Sequence, residues 1–68
     1  MRVAVKAWDA SEALAIVADV RVRVRRYPQV VRWLCSACGS FDNTPACPHL
    51  AAFAATQVPG WPHPMRKD

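Results

Sequence analysis

Val20-Arg21-Val22-Arg23-Val24-Arg25, then Arg26-Tyr27-Pro28-Gln29, then Val30-Val31-Arg32-Trp33-Leu34-Cys35 is the stretch that decides the fold. Strict alternation of valine and arginine gives a strand with one apolar and one cationic face. Pro28 has no N–H to give to a ladder, so it belongs in a turn and not in the middle of a sheet. Residues 20–35 therefore read as a β-hairpin. If Pro28 and Gln29 form its two-residue loop, Val24 faces Trp33, Val22 faces Cys35, Arg25 faces Arg32 and Arg26 faces Val31. That register puts Val20, Val22, Val24, Trp33 and Cys35 on the core face. It leaves Arg21, Arg23, Arg25 and Arg32 on the other. Arg25 opposite Arg32 is a like-charge pair, destabilising unless a carboxylate or another anion lies beside it.

Upstream, residues 2–7 alternate loosely and read as a short first strand. Asp9 and Ser11 are both suitable N-caps, and Ala10, Leu14, Val17 and Ala18 recur at helical spacing. These features predict a short helix over 10–18, favoured by leucine and alanine, with an extended strand through Ile16 and Val17 as the rival. Downstream, Gly39 to Asn43 reads as loop. Pro48 suits a first helical position and opens a second helix, with Leu50, Phe53 and Ala54 as its buried stripe. Residues 58–68, with Pro59, Gly60, Trp61, Pro62 and Pro64, form a proline-rich tail. Either it straps Trp61 onto the domain or it is a disordered end. The expectation is one domain over 1–57 followed by the tail at 58–68.

The chain has 68 residues. A domain of about this size buries only about 60% of the surface its unfolded chain exposes, so it usually needs a disulfide set, a metal or a partner. Its cysteines are three, at 35, 38 and 47. An odd count in one short stretch argues for metal ligation over a closed disulfide framework. Cys35-Ser36-Ala37-Cys38, eight residues, then Cys47-Pro48-His49 supplies four sulfur and nitrogen donors. Zinc takes such a set tetrahedrally in closed structural sites. The expected ligands are Cys35, Cys38, Cys47 and His49, around one structural zinc ion. His63, in the tail, is the poorer fourth ligand. A redox Cys-x-x-Cys lacks its βαβ surroundings here and leaves Cys47 unexplained.

Val31-Arg32-Trp33-Leu34-Cys35-Ser36-Ala37-Cys38 followed by Pro45-Ala46-Cys47-Pro48-His49-Leu50-Ala51-Ala52 resembles a SWIM-type zinc finger, over about residues 20–56. That family joins a β-hairpin and a Cys-x-Cys turn to a Cys-x-His motif that opens a helix. Here the first pair is Cys-x-x-Cys. The resemblance carries ligand roles directly to Cys47 and His49, and by position to Cys35 and Cys38. It implies a DNA- or protein-binding module. The whole reads as a small zinc-stabilised α+β domain: strand, short helix, hairpin, zinc knuckle and C-terminal helix.

The formal net charge of +4 permits a polyanionic partner without requiring one. Arg21, Arg23, Arg25 and Arg32 on the outer hairpin face are the expected nucleic-acid contacts, aided by Lys6, Arg2 and the Arg66-Lys67 tail. Tyr27 at the hairpin tip would stack on a base. DNA is the favoured target over RNA. A larger protein is the alternative partner, through Trp8 and Trp61 or an exposed first strand. A solvated strand face is the plain alternative for the arginines, as packing on Pro28 is for Tyr27. No paired carboxylates, nucleophile–base pair or glycine-rich loop marks an enzyme or a small-molecule substrate site. Reduced thiols, no export signal and no apolar run near 18 residues point to the cytosol and away from membranes.

Overall fold

The computed structural model describes residues 1–61. It is one five-stranded antiparallel sheet in sequence order, β1 (Val3–Trp8), β2 (Glu12–Val17), β3 (Val20–Arg26), β4 (Val31–Cys35) and β5 (Gly39–Asp42), with one helix, α1 (Pro48–Ala54), packed on one face. The expected hairpin is β3–β4 in the expected register, with Val22 opposite Cys35, Val24 opposite Trp33, Arg25 opposite Arg32 and Arg26 opposite Val31. Tyr27 closes its loop by donating its N–H to the Val30 carbonyl at 2.8 Å.

Two expectations are corrected. Residues 10–18 are not helical, because 12–17 form β2, paired on both sides. Its alternation is hidden in sequence because both of its faces are apolar: Ala13, Ala15 and Val17 are buried, and Leu14 and Ile16 are partly so. Asp9 does act as a cap, but of a turn. Its Oδ1 accepts from the N–H of Ser11 at 2.7 Å and of Glu12 at 2.9 Å, the Asx-turn chemistry that also caps helices. Those two bonds, with the Ser11 hydroxyl, hold its carboxyl below the usual carboxylate value. The second correction concerns 39–43, where Gly39–Asp42 is β5. Glycine and serine disguise it, yet Phe41 faces Trp33 and Asp42 faces Arg32 across the ladder.

The core lies between the sheet and α1. Val17, Val24, Trp33, Leu50, Phe53 and Val58 are its largest fully buried side chains. Trp33 meets Phe53 edge to face, with centroids 6.3 Å apart, an arrangement that adds about 0.5–1.5 kcal/mol beyond area burial. The Trp33 indole N–H is buried and has no hydrogen-bond partner among the described residues. Such a donor costs about 1–3 kcal/mol, which a core this small can ill absorb. Packing continues past residue 57, since Val58 and Trp61 are both buried. Trp61 is therefore a strap and Trp8, at 47% exposure, is not. The remainder of the expected tail, with His63 and the Arg66-Lys67 pair, lies outside the described residues. Among the described residues no helix is long and apolar enough to cross a membrane.

The sheet has two distinct ends. At one end lie the β4–β5 turn, the β2–β3 turn and the start of α1. At the other lie the Tyr27–Val30 loop, the Asp9 turn and Trp61.

Candidate metal centre

The β4–β5 turn presents two of the expected donors. Cys35 is the last residue of β4 and pairs with Gly39, leaving Ser36, Ala37 and Cys38 as the loop. Gly39 has φ +113, in the left-handed region that favours glycine, and this lets so short a connection close. Cys47 and His49 come from the start of α1. Cys47 is the N-cap, in extended conformation, and its sulfur accepts the Leu50 N–H at 3.5 Å. Pro48 follows at the position where a missing N–H costs nothing. His49 is thereby placed one residue further on, with its ring turned back toward the β4–β5 turn.

All four donors converge. The Cys35, Cys38 and Cys47 sulfurs and a His49 ring nitrogen lie within 4.8 Å of one another. His49 Nδ1 is 3.8 Å from both Cys35 Sγ and Cys38 Sγ. Tetrahedral zinc, with Zn–S about 2.3 Å and Zn–N about 2.0–2.1 Å, sets sulfur–nitrogen spacings of about 3.6 Å. The cluster fits one metal ion of that kind, and three thiolates with one imidazole favour zinc over hard cations. Cys35 and Cys47 are buried, His49 is partly so and Cys38 is exposed, so the centre plugs one end of the core.

The thiols also disagree over their protons. Burial pushes the Cys47 thiol up. The Leu50 N–H and contacts with Cys38, His49 and Cys35 outweigh it and bring the thiol down to about 7. Cys38 is pushed up to about 11, first by its hydrogen bond to Cys47, then by desolvation and the neighbouring Cys35. Three sulfurs this close cannot all carry charge unaided. A bound cation resolves the conflict by stabilising every thiolate at once.

The expected nucleic-acid contacts are placed less uniformly. Arg21, Arg23, Arg25 and Arg32 are all exposed on the sheet face opposite α1. Glu12 lies 3.7 Å from Arg23 and 3.6 Å from Arg25, and Asp42 lies 3.1 Å from Arg32. Arg25 and Arg32 thus sit inside a row of four across the sheet, Glu12–Arg25–Arg32–Asp42, with two charges of each sign. These are the carboxylates that the facing arginines require. Tyr27 is 41% exposed at the tip, with the Arg25 guanidinium 5.7 Å above its ring. Neither Glu12 nor Asp42 is recognisable in sequence as a partner of these arginines. Recognising 12–17 as a strand paired with β3 would have placed Glu12 beside Arg25.

No family model matches the chain, and no curated protein or solved structure matches it.

Proposed function

We propose that the chain is a SWIM-like zinc-finger module in which one structural zinc ion, held by Cys35, Cys38, Cys47 and His49, fixes a sheet whose open face binds nucleic acid, DNA in preference to RNA. The zinc is structural in this reading because four protein donors complete a tetrahedral shell and leave no position for a substrate. The module is therefore a binding protein and not an enzyme. Its order of parts also suits the SWIM resemblance: hairpin, two cysteines on a turn, then Cys-x-His opening a helix. The longer Cys-x-x-Cys pair is accommodated by the Ser36-Ala37-Cys38 loop closed at Gly39.

One observation carries the nucleic-acid reading. The one helix among the described residues covers one face of the sheet, and the other face presents exposed Arg21, Arg23, Arg25 and Arg32 together. Phosphate contacts of this kind weaken steeply with salt. The test is anisotropy of labelled DNA and RNA titrated with zinc-loaded protein from low to high salt. Binding that is tightest at low salt is expected, and absence of binding there would sink the reading.

A second reading, a protein-interaction module, has its own support. Trp8 is exposed on β1, an edge strand whose outer backbone groups pair with no neighbour in the sheet. An extended peptide adds to such an edge by main-chain hydrogen bonds. Co-purification of one stoichiometric protein, lost on Trp8→Ala, would establish that reading in place of the first.

A further inference from the structure

The outer sheet face is not evenly charged, and its imbalance selects a ligand. Toward the Tyr27 loop, the Glu12–Arg25–Arg32–Asp42 row is neutral within itself. Toward the cysteine turn the carboxylate is Asp19, in the β2–β3 turn, and among the described residues it forms no ion pair. Among the described residues Arg2, Lys6 and Arg21 take part in no ion pair, and all three are exposed. Arg23 shares Glu12 with Arg25 and is only half neutralised.

Between these cations the surface is apolar. Ile16 stands directly opposite Arg21, and Leu14 and Leu34 flank Arg23 on either side. Leu14, Ile16 and Leu34 are each only partly buried. Two shallow grooves follow from this arrangement. One is lined by Leu14, Arg21, Arg23, Leu34 and Ser36. The other is lined by Arg2, Ala4, Lys6 and Ile16, closed by Ala18 and Asp19. The Ile16–Arg21 pair is where the two adjoin.

We infer that this part of the face binds single-stranded DNA, with Arg2, Lys6, Arg21 and Arg23 on the phosphates and Leu14, Ile16 and Leu34 under the bases. The inference rests on the nucleic-acid reading above and narrows it. A duplex offers a flat surface its phosphates and hides the faces of its bases, so it leaves exposed leucine and isoleucine uncovered. An unpaired strand has apolar base faces to lay on them, and phosphates at its margin for the cations. Ser36 is the only hydroxyl lining either groove. The apolar floor of Leu14, Ile16 and Leu34 makes no hydrogen bond to a 2′-hydroxyl, the group by which proteins recognise RNA, and the side-chain oxygens lining the grooves are those of Ser36 and Asp19. Arg25 and Arg32, already beside Glu12 and Asp42, contribute less to the phosphate contacts than the cations that have no carboxylate partner.

The experiment uses the zinc-loaded chain with four probes: a 15-nucleotide thymidine strand, a 15-base-pair duplex, a 15-nucleotide uridine strand, and phosphatidylglycerol–phosphatidylcholine vesicles. The thymidine strand is expected to bind at least tenfold more tightly than the duplex. Its log–log salt slope should lie between about −2 and −3, at about 0.7 per phosphate contact on a single strand. Replacing Arg2, Lys6 and Arg21 with glutamine should flatten that slope by about 2. The charge-neutral pair Arg32→Gln with Asp42→Asn, which leaves Glu12 beside Arg23 and Arg25, should weaken binding far less than that cationic set. Leu14→Ser with Leu34→Ser should weaken the thymidine strand severalfold while leaving the slope alone. Zinc content and melting temperature report whether each variant is folded, and the wild-type probe ranking and slope stand without any variant. No binding of any oligonucleotide at low salt overturns the functional reading itself. Duplex bound as tightly as single strand, uridine bound more tightly than thymidine, vesicles bound in preference to both, or equal losses from the two charge sets each overturn this inference alone.

Discussion

The two ends of the sheet are closed by different physics. At the Tyr27 end, closure is made by ordinary side chains. The Trp61 indole donates to the Asp9 carbonyl at 2.6 Å, and the Arg26 guanidinium lies 5.0 Å from its ring centre. Asn43 takes the Val31 N–H at 2.9 Å and returns its own N–H to the Val31 carbonyl at 2.6 Å. At the other end, three cysteines and a histidine stand where a packed core would otherwise continue. The contrast teaches that a short chain can fill one end of a two-layer domain with apolar and polar contacts but lacks the residues to fill both. A metal ion held there would replace the missing packing and relieve that end of the need for ionic ties. Toward this end, among the described residues, Arg2, Lys6 and Arg21 take part in no ion pair.

Breaking the metal end should have the largest effect. Structural zinc in finger peptides is worth about 10–16 kcal/mol at neutral pH, more than a core of this size supplies. Chelation, or Cys47→Ser, is expected to abolish the cooperative fold, read by circular dichroism and the amide spectrum. A native spectrum without metal would show that packing closes both ends. Acid should act the same way. In the metal-free fold the Cys47 thiol is lowered from 9.0 to about 7, so its contribution is present above 9.0 and is lost as pH falls through 7. Cys38 runs oppositely, raised to about 11, so its contribution is present in full below 9.0 and is lost as pH rises through 11. Zinc suppresses this opposition by taking both as thiolates, so protons compete with it. Zinc release to a chromophoric chelator should rise as pH drops from about 8 to about 5, and a flat profile over that range would refute the thiolate set.

Trp61→Ala attacks the other end and should be the second largest effect. Truncating a buried tryptophan costs about 3–5 kcal/mol, and here the hydrogen bond to Asp9 goes with it. The comparison predicts that zinc content stays at one equivalent while the denaturation midpoint falls. Loss of zinc in step with stability would mean that the two ends are one cooperative unit. A smaller effect comes from Glu12→Gln with Asp42→Asn, which leaves Arg25 facing Arg32 unrelieved. Because both ion pairs are exposed, about 1 kcal/mol or less is expected. The loss should shrink in high salt, where the repulsion is screened. A salt-independent loss would assign the carboxylates a packing role instead.

Much of the metal end was legible in sequence. Cys35, Cys38, Cys47 and His49 announce themselves by type and spacing, since few other arrangements explain three clustered cysteines. The β3–β4 register was legible too, because valine–arginine alternation and Pro28 fix both face and turn. What sequence hid was any strand lacking contrast between its faces. In β2, alanine on the inner face and leucine and isoleucine on the outer differ in size and not in polarity, and the same residues fit a helical stripe. In β5, Gly39 and Ser40 have little strand preference, and only the partners Trp33 and Arg32 give Phe41 and Asp42 their places. The free cations depend on tertiary neighbours in the same way. Nothing in the sequence distinguishes Arg21 from Arg25 until Glu12 is known to lie beside one and not the other.

The β2–β3 turn explains why that strand was missed, and it supplies the mildest prediction. Val17 and Val20 are the last facing pair, so Ala18 and Asp19 form a two-residue turn. Both have left-handed backbones, with φ of 49 and 66. Hairpin turns of this shape favour asparagine and glycine, and the absence of either removed the usual signal. Alanine there carries a steric cost from its Cβ, of about 1 kcal/mol. Ala18→Gly relieves it and at the same time loosens the unfolded chain, so the two effects partly cancel. A net gain of about 0.5 kcal/mol or less is expected in denaturant unfolding of the zinc-loaded protein. Because this turn lies at the metal end, its strain is tolerated only while zinc holds that end together. The same substitution should therefore raise the zinc-loaded midpoint slightly and leave the chelated chain unfolded. A glycine variant that folds without zinc would show that turn strain, and not missing packing, is what the metal offsets.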